Sequence, residues 1–360
     1  MKHVAIGTVL CLAACASDPT TPEPLPNMVF ATVSSGYGYS CGVTVGGTTY
    51  CWGNQLPNVT GIPSRIPTPL GGGVSLHLVS VGSTHACGLT AAGAAYCWGS
   101  NLQGRLGDSG YTDSPTPAAV SGGLQFDALS AGGTHTCGLT PNGAAYCWGW
   151  DFYGALGDSS SLYDSPVPVP VAGSLTFRSI AAGTVHTCGI TTSGAAYCWG
   201  HNDLGRLGDN STQERRYPVP VAGGLTFMAI AAGNQFTCGI TIAGAAYCWG
   251  RKQGSLTIDS TPVLVPTGLT FTSVSSGNVH VCGLTPAAAA YCWGTNTDGQ
   301  LGNGSLVGDS MPQLVSRIQA FKVLSSGIAH TCGVSGGDTT YCWGALAGSS
   351  NLPLAIAGPP

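Results

Sequence analysis

The sequence predicts an all-β protein, a seven-bladed β-propeller of four antiparallel strands per blade, on three observations. Cysteines recur in seven pairs at a constant spacing of ten; the pairs begin 46, 50, 51, 50, 44 and 50 residues apart; and the composition suits strands and turns. A period of this size signals propellers, solenoids or arrays rather than a row of unrelated domains. With 56 glycines, 23 prolines and only 7% charged residues, long solvated helices are hard to build, while 43% hydrophobic residues over 360 positions allow a sizeable core. The net charge of -4 offers no general attraction to nucleic acid or to an anionic membrane.

The chain opens with Lys2 and an apolar run from Val4 to Ala14 that closes on Leu12-Ala13-Ala14-Cys15. Such a run is too short for a ~30 Å hydrocarbon core and reads as a signal peptide, residues 1–15. Its ending resembles the lipobox of bacterial lipoproteins, which implies lipidation of Cys15; simple cleavage near Ala16 and secretion is the alternative. Residues 16–27 follow as a proline-rich tether, Asp18 to Asn27 being unable to form a core. Residues 28–360 then form one propeller, with units at about 28–72, 73–122, 123–172, 173–222, 223–267, 268–317 and 318–360.

Export favours disulfides, and the pairs are Cys41 and Cys51, Cys87 and Cys97, Cys137 and Cys147, Cys188 and Cys198, Cys238 and Cys248, Cys282 and Cys292, Cys332 and Cys342. In unit three, Pro141-Asn142-Gly143 reads as a three-residue hairpin loop with glycine at positive φ, which sets Cys137 opposite Cys147. Opposed Cβ atoms lie close enough for an S–S bond. Zinc is the competing reading, since His135 shares a strand face with Cys137. The other units argue against it: the histidine recurs as His85, His135, His186, His280 and His330 but is Tyr39 in unit one and Phe236 in unit five, and both of those keep their cysteines.

Within unit three, Phe126–Ser130 is the expected first strand, 135–140 the second and 144–149 the third. Pro166-Val-Pro-Val-Pro-Val171 is the fourth, placed at the outer edge because proline cannot donate to a central ladder. The third-strand tryptophans Trp52, Trp98, Trp148, Trp199, Trp249, Trp293 and Trp343 recur with the repeat and are expected to be buried between blades. Four such strands, repeated radially, make a propeller blade.

The repeated G-x-x-H-x-C-G-L-T, G-A-A-Y-C-W-G and N-x-x-G-x-L-G-D resembles the repeat of the regulator of chromosome condensation family, whose members form seven-bladed propellers. The full loop stands at Asn101-Leu-Gln-Gly104-Arg-Leu-Gly107-Asp108, at 202–209 and, with a final asparagine, at 296–303; units one, five and seven shorten or alter it. The family's namesake is a nuclear exchange factor for a small GTPase, but its matching positions are those that build the blade, so no exchange residue carries over. A similar secreted bacterial propeller that inhibits β-lactamases is the nearer analogy, and it implies a binding module.

No G-x-S-x-G, H-E-x-x-H or G-K-[ST] motif is present, and no enzyme activity, cofactor or metal is expected. Asp108, Asp158 and Asp209 follow Leu-Gly at turns that aspartate caps, a better use for them than calcium. His77 and His201 read as solvated loop histidines. The variable loop after each third strand is where a partner would bind. The candidate residues are Trp150, Phe152 and Tyr153 in unit three, with Arg206, Arg215, Arg216, Tyr217, Arg251 and Lys252 in units four and five. Alternatively those rings pack under the loop and the charges solvate it. The sequence therefore leads to a monomeric, exported binding module for a protein or cell-wall polysaccharide, held to the membrane only by its lipid. A structural envelope lipoprotein without a ligand is the alternative.

Overall fold

The computed structural model describes residues 28–53, 64–251, 257–346 and 349–356. The expected signal peptide with Cys15, the tether, the altered loop of unit one at 54–57 and Lys252 lie outside the described residues. Seven sheets of four antiparallel strands follow one another, each in sequence order, and their first strands touch in a closed ring around the axis. Blade three is built from Ala128–Ala131, His135–Leu139, Ala145–Trp150 and Asp164–Pro170. Phe126 precedes its strand instead of opening it, because its N–H donates to the Gly93 carbonyl of blade two's hairpin (2.8 Å) while its ring turns into the core over Gly138. The proline-rich fourth strand is outermost, as expected, and a register shift opposite the third strand recurs in every blade.

Each cysteine pair is directly opposed in the second and third strands and joined as a disulfide, with S–S separations from 2.01 to 2.11 Å. The hairpin of blade three closes as read from its sequence: Thr140 N–H donates to Ala144 (3.0 Å), Gly143 N–H to Thr140 (2.8 Å), and Gly143 has φ 79°. Blade six puts Ala288 at the same position with φ 62°. An L side chain there costs about 1–2 kcal/mol, partly offset by the greater unfolded-state freedom of glycine. Ala288→Gly is therefore expected to stabilise the protein by about 0.5–1 kcal/mol. A denaturation midpoint that falls in this variant would contradict the assignment.

The core lies between blades. The buried disulfide Cys87–Cys97 packs with Leu89 and Leu106 against Phe126 and Trp148 of blade three, and the other junctions repeat the pattern. All seven recurring tryptophans are buried, at 0 to 4% exposure, as expected. The second glycine of each full loop, such as Gly107, lies so close to the next blade's indole that a Cβ would collide with it.

Seven further glycines, Gly36, Gly82, Gly132, Gly183, Gly233, Gly277 and Gly327, ring the axis. A Cβ on any of them would strike the carbonyl of the next. The residue after the glycine donates to that carbonyl at several junctions, from Gly133 N–H to Gly183 (3.0 Å) for example. Ile328 N–H bonds the Gly36 carbonyl (2.9 Å) and so closes blade seven onto blade one by the same device. Among the described residues no strand is exchanged between these two blades.

The recurring histidines belong to this junction. His85, His135, His186 and His280 bring Nε2 to within 2.7 to 2.9 Å of a threonine hydroxyl in the following blade (Thr136, Thr187, Thr237 and Thr331), and His330 reaches Ser40 (2.9 Å). Each threonine hydroxyl donates to a loop carbonyl, of Arg105, Ala155, Arg206 or Gln300, at 2.8 to 3.2 Å. It must therefore accept from the imidazole, which fixes the Nε2–H tautomer. Where the histidine is replaced, so is its partner: Phe236 faces Val281 across the junction between blades five and six, and Tyr39 and Ala86 hold these positions in blades one and two.

Candidate functional site

The described loops between third and fourth strands emerge on one face, and their repeated residues build a rigid frame. Asn101 Oδ1 accepts from Leu106 N–H (3.0 Å), while its Nδ2 donates to Asp108 (2.9 Å) and to the Gly110 carbonyl (3.0 Å). Asn202 and Asn296 repeat this with Asp209 and Asn303. Asp108, Asp158 and Asp209 each cap the N–H two residues on, the structural role expected from their turns.

Blade three departs from the frame by one atom. Asp151 replaces the asparagine; its Oδ1 still accepts from Leu156 N–H (2.7 Å), but Oδ2 stands where the amide nitrogen would donate. The residue is 1% exposed, and Oδ2 has no hydrogen-bond partner among the described residues. Burial, with the Asp158 carboxylate nearby, pushes the Asp151 carboxyl up to about 7 despite the Leu156 N–H and the Arg216 guanidinium 3.6 Å away. The protonated acid restores the missing donor. Because the unfolded carboxyl ionises from about pH 4 upward while the folded one stays protonated to about 7, Asp151→Asn is expected to stabilise the protein already at pH 6, and by about 1 kcal/mol more at pH 8.5. A difference in melting temperature that is the same at both pH values would refute this.

Around Asp151 the rings form a connected band. Trp150 stacks on Phe152 (5.8 Å), Phe152 on Tyr163 (5.5 Å), and Tyr153 on His201 (4.0 Å). Tyr111 from blade two donates its hydroxyl to Asp164 (3.0 Å), beside Tyr163. Phe152, Tyr163, Tyr111 and Tyr217 remain exposed, whereas Trp150 and Tyr153 are half-buried. Both readings of the cluster thus hold in part: Tyr153 packs inward, and Phe152 is sandwiched yet presents an edge to solvent.

The arginines differ from their sequence-based reading as surface anchors. Arg206 is 3% exposed, paired with Asp203 and bonded to the Asn234 carbonyl (2.8 Å), because it spans from its loop to the axial turn of the next blade. Arg216 clamps the blade-three loop, donating to the carbonyls of Phe152 (2.7 Å), Asp151 (3.3 Å) and Ser160 (3.3 Å). Arg215 pairs with Asp209 (2.9 Å) and Arg251 donates to Gln235 (3.2 Å). His201 is half-buried, its imidazole kept below the usual range by burial and then by Arg206. Tyr111 and Tyr163 were missed in the sequence because they stand outside the repeated frame, in stretches such as Leu162-Tyr163-Asp164 that read as ordinary polar loop.

A family model described as the RCC1-like domain matches residues 62–350. Among solved structures, human WBSCR16 is similar at 20% identity over 86% of this chain and 87% of its own, with a TM-score of 0.77. Prp20p of Saccharomyces cerevisiae follows at 18% identity over 91% and 87%, TM-score 0.73. The CRINKLY WD40 ectodomain of the Arabidopsis thaliana receptor kinase ACR4 matches at 21% identity over 91% and 98%, TM-score 0.60. No curated protein sequence matches the chain. Seven four-stranded blades, the repeated loop frame and a family match over most of the chain lead to one statement: the protein belongs to the RCC1-like domain family.

Proposed function

We propose that the chain is a non-catalytic binding module, exported and lipid-anchored through Cys15, that engages a macromolecular partner with the loop face of blades two to four. The carrying observation is the group of exposed rings Phe152, Tyr163 and Tyr111, with Tyr217 exposed on the adjoining fourth strand; the sequences between the third and fourth strands of the other blades carry no aromatic residue. Exposed aromatic clusters rimmed by polar groups mark interaction sites. The scaffold supports this reading: a receptor-kinase ectodomain shares it, as does Prp20p, which has binding properties toward Gsp1p and histones. A catalytic use of the recurring histidines has little support, because all five are fully buried and spend Nε2 on the neighbouring blade.

A photo-crosslinking residue at Phe152, compared with one at Ile242 on the exposed opposite hairpin, tests the face in envelope preparations. Adducts specific to position 152 are expected; none, or the same set at both positions, would refute the proposal. Mass spectrometry of the processed protein, seeking a lipid on Cys15, tests the anchor separately.

A further inference from the structure

We infer that the partner of this face is a polypeptide segment rich in arginine or lysine, seated with its cations on the rings of Tyr163, Phe152 and Tyr111 and against the carboxylates of Asp164, Asp203 and Glu214. The inference rests on the binding-face reading above and adds the chemistry of the ligand.

Charge is the first argument. The stretches 100–114, 150–165 and 201–217 carry eight acidic residues, more than half of the chain's fifteen, against four arginines. All four guanidiniums are committed to the protein. Arg105 is 5% exposed and donates to Thr84 (2.8 Å), Gln103 (2.7 Å) and the Leu102 carbonyl (2.7 Å). Arg206, Arg215 and Arg216 are held as described above. Of the acidic groups, the side chains of Asp151 and Asp209 are buried, whereas Asp203 is 55% exposed beside its Arg206 partner, Glu214 is exposed, and Asp164 gives one oxygen to Tyr111. The carboxylates left open to solvent here include those of Asp164, Asp203 and Glu214, while the arginine donors are taken up by loop carbonyls and carboxylates.

The second argument is the coincidence of those carboxylates with ring surface. Tyr163, at 63% exposure, and Tyr111, at 56%, flank Asp164, so a cation reaching the carboxylate also meets the rings. Arginine and lysine are the side chains whose charge gains from both an aromatic face and a carboxylate, with guanidinium stacking the better of the two. An anionic partner meets repulsion here, and a neutral glycan would use the rings but leave the carboxylates without a role.

The disulfide-bonded chain should be titrated with labelled octa-arginine, octa-glutamate and a neutral glycine–serine octamer, read by fluorescence anisotropy. Octa-arginine is expected to bind, more weakly as salt rises from 50 to 300 mM, and at least tenfold more weakly to a Tyr163→Ala, Asp164→Asn variant. The Asp127→Asn, Ile242→Ala variant, with the same charge change on the opposite side, should bind as wild type. Equal octa-arginine binding by the two variants, or equal binding of the neutral octamer by wild type, would overturn the inference. If position 152 still captures a partner while octa-arginine is ignored, the face binds but its ligand is not cationic; loss of both removes the binding-face reading as well.

Discussion

Acidified from pH 7 to pH 4.5, the protein is expected to unfold cooperatively between about pH 6 and pH 5, driven by its five buried histidines. Burial holds His135 and His280 down to about 3 and His330 to about 4, and puts His85 and His186 well below the usual imidazole range. Arg105 adds to the effect at His85 and His135, Arg206 at His186, and His330 at His280. The geometry agrees, since every Nε2 is engaged across the junction and every Nδ1 faces the interior without a partner among the described residues. The folded state therefore refuses protons that the unfolded chain takes up from about pH 6.5 downward. Stability is fully present above that value and is lost as pH falls.

Each histidine contributes about 1.4 kcal/mol per pH unit in this window, so five remove roughly 7 kcal/mol per unit from a typical total of 5–15 kcal/mol. Asp151 acts in the opposite direction over part of the same range, one group against five. The double variant His135→Phe, Thr187→Val copies the Phe236 and Val281 arrangement and should shift the acid midpoint downward. His135→Phe alone leaves the Thr187 hydroxyl without its donor and should cost about 1 kcal/mol at pH 7. A protein that keeps its near-ultraviolet circular dichroism to pH 4, or a double variant with an unchanged midpoint, would show that these histidines do not set acid stability.

The same histidines show how far the sequence carries. Their recurrence at one strand position, with Tyr39 and Phe236 as exceptions, was enough to set aside zinc and to assign them to the blade. It was not enough to find the threonine about 51 residues further on, because that pairing crosses a junction and has no local signature. Strand order, the hairpin around Gly143 and the disulfides were legible because they are local and repeated seven times. The proposed binding face was legible at Trp150, Phe152 and Tyr153, which interrupt the repeat, and at Tyr217, but not at Tyr111 and Tyr163. Composition misled at Arg206 and Arg216: a charged residue in a variable loop reads as solvent-facing, yet one is buried and the other clamps loop carbonyls. Asp151 shows the opposite case, a single change within a repeated frame that becomes conspicuous once the sister loops reveal what the asparagine nitrogen does.

Reduction of the seven disulfides is expected to lower the melting temperature sharply, but only after the protein has been opened. The sulfurs lie in the junctions beneath the next blade's tryptophan and phenylalanine, and twelve of the fourteen cysteines are at most 2% exposed. A phosphine reductant at neutral pH without denaturant should therefore leave the bridges intact for hours, as read by alkylation and mass spectrometry. After reduction in denaturant the stability comparison becomes possible. Each bridge closes a hairpin of about eleven residues, for which the chain-entropy model gives roughly 3 kcal/mol. The true figure is smaller, because a local hairpin is partly formed in the unfolded chain; even ~1 kcal/mol per blade adds up to about 7 kcal/mol against a typical domain total of about 5–15 kcal/mol. A single Cys137→Ser, Cys147→Ser blade should cost far less than the full set, since repeat stabilities combine approximately additively and six neighbouring blades stay stapled. Refolded, reduced protein that melts within a few degrees of the oxidised form would show that the junction contacts of tryptophan, histidine and glycine hold the ring without the bridges.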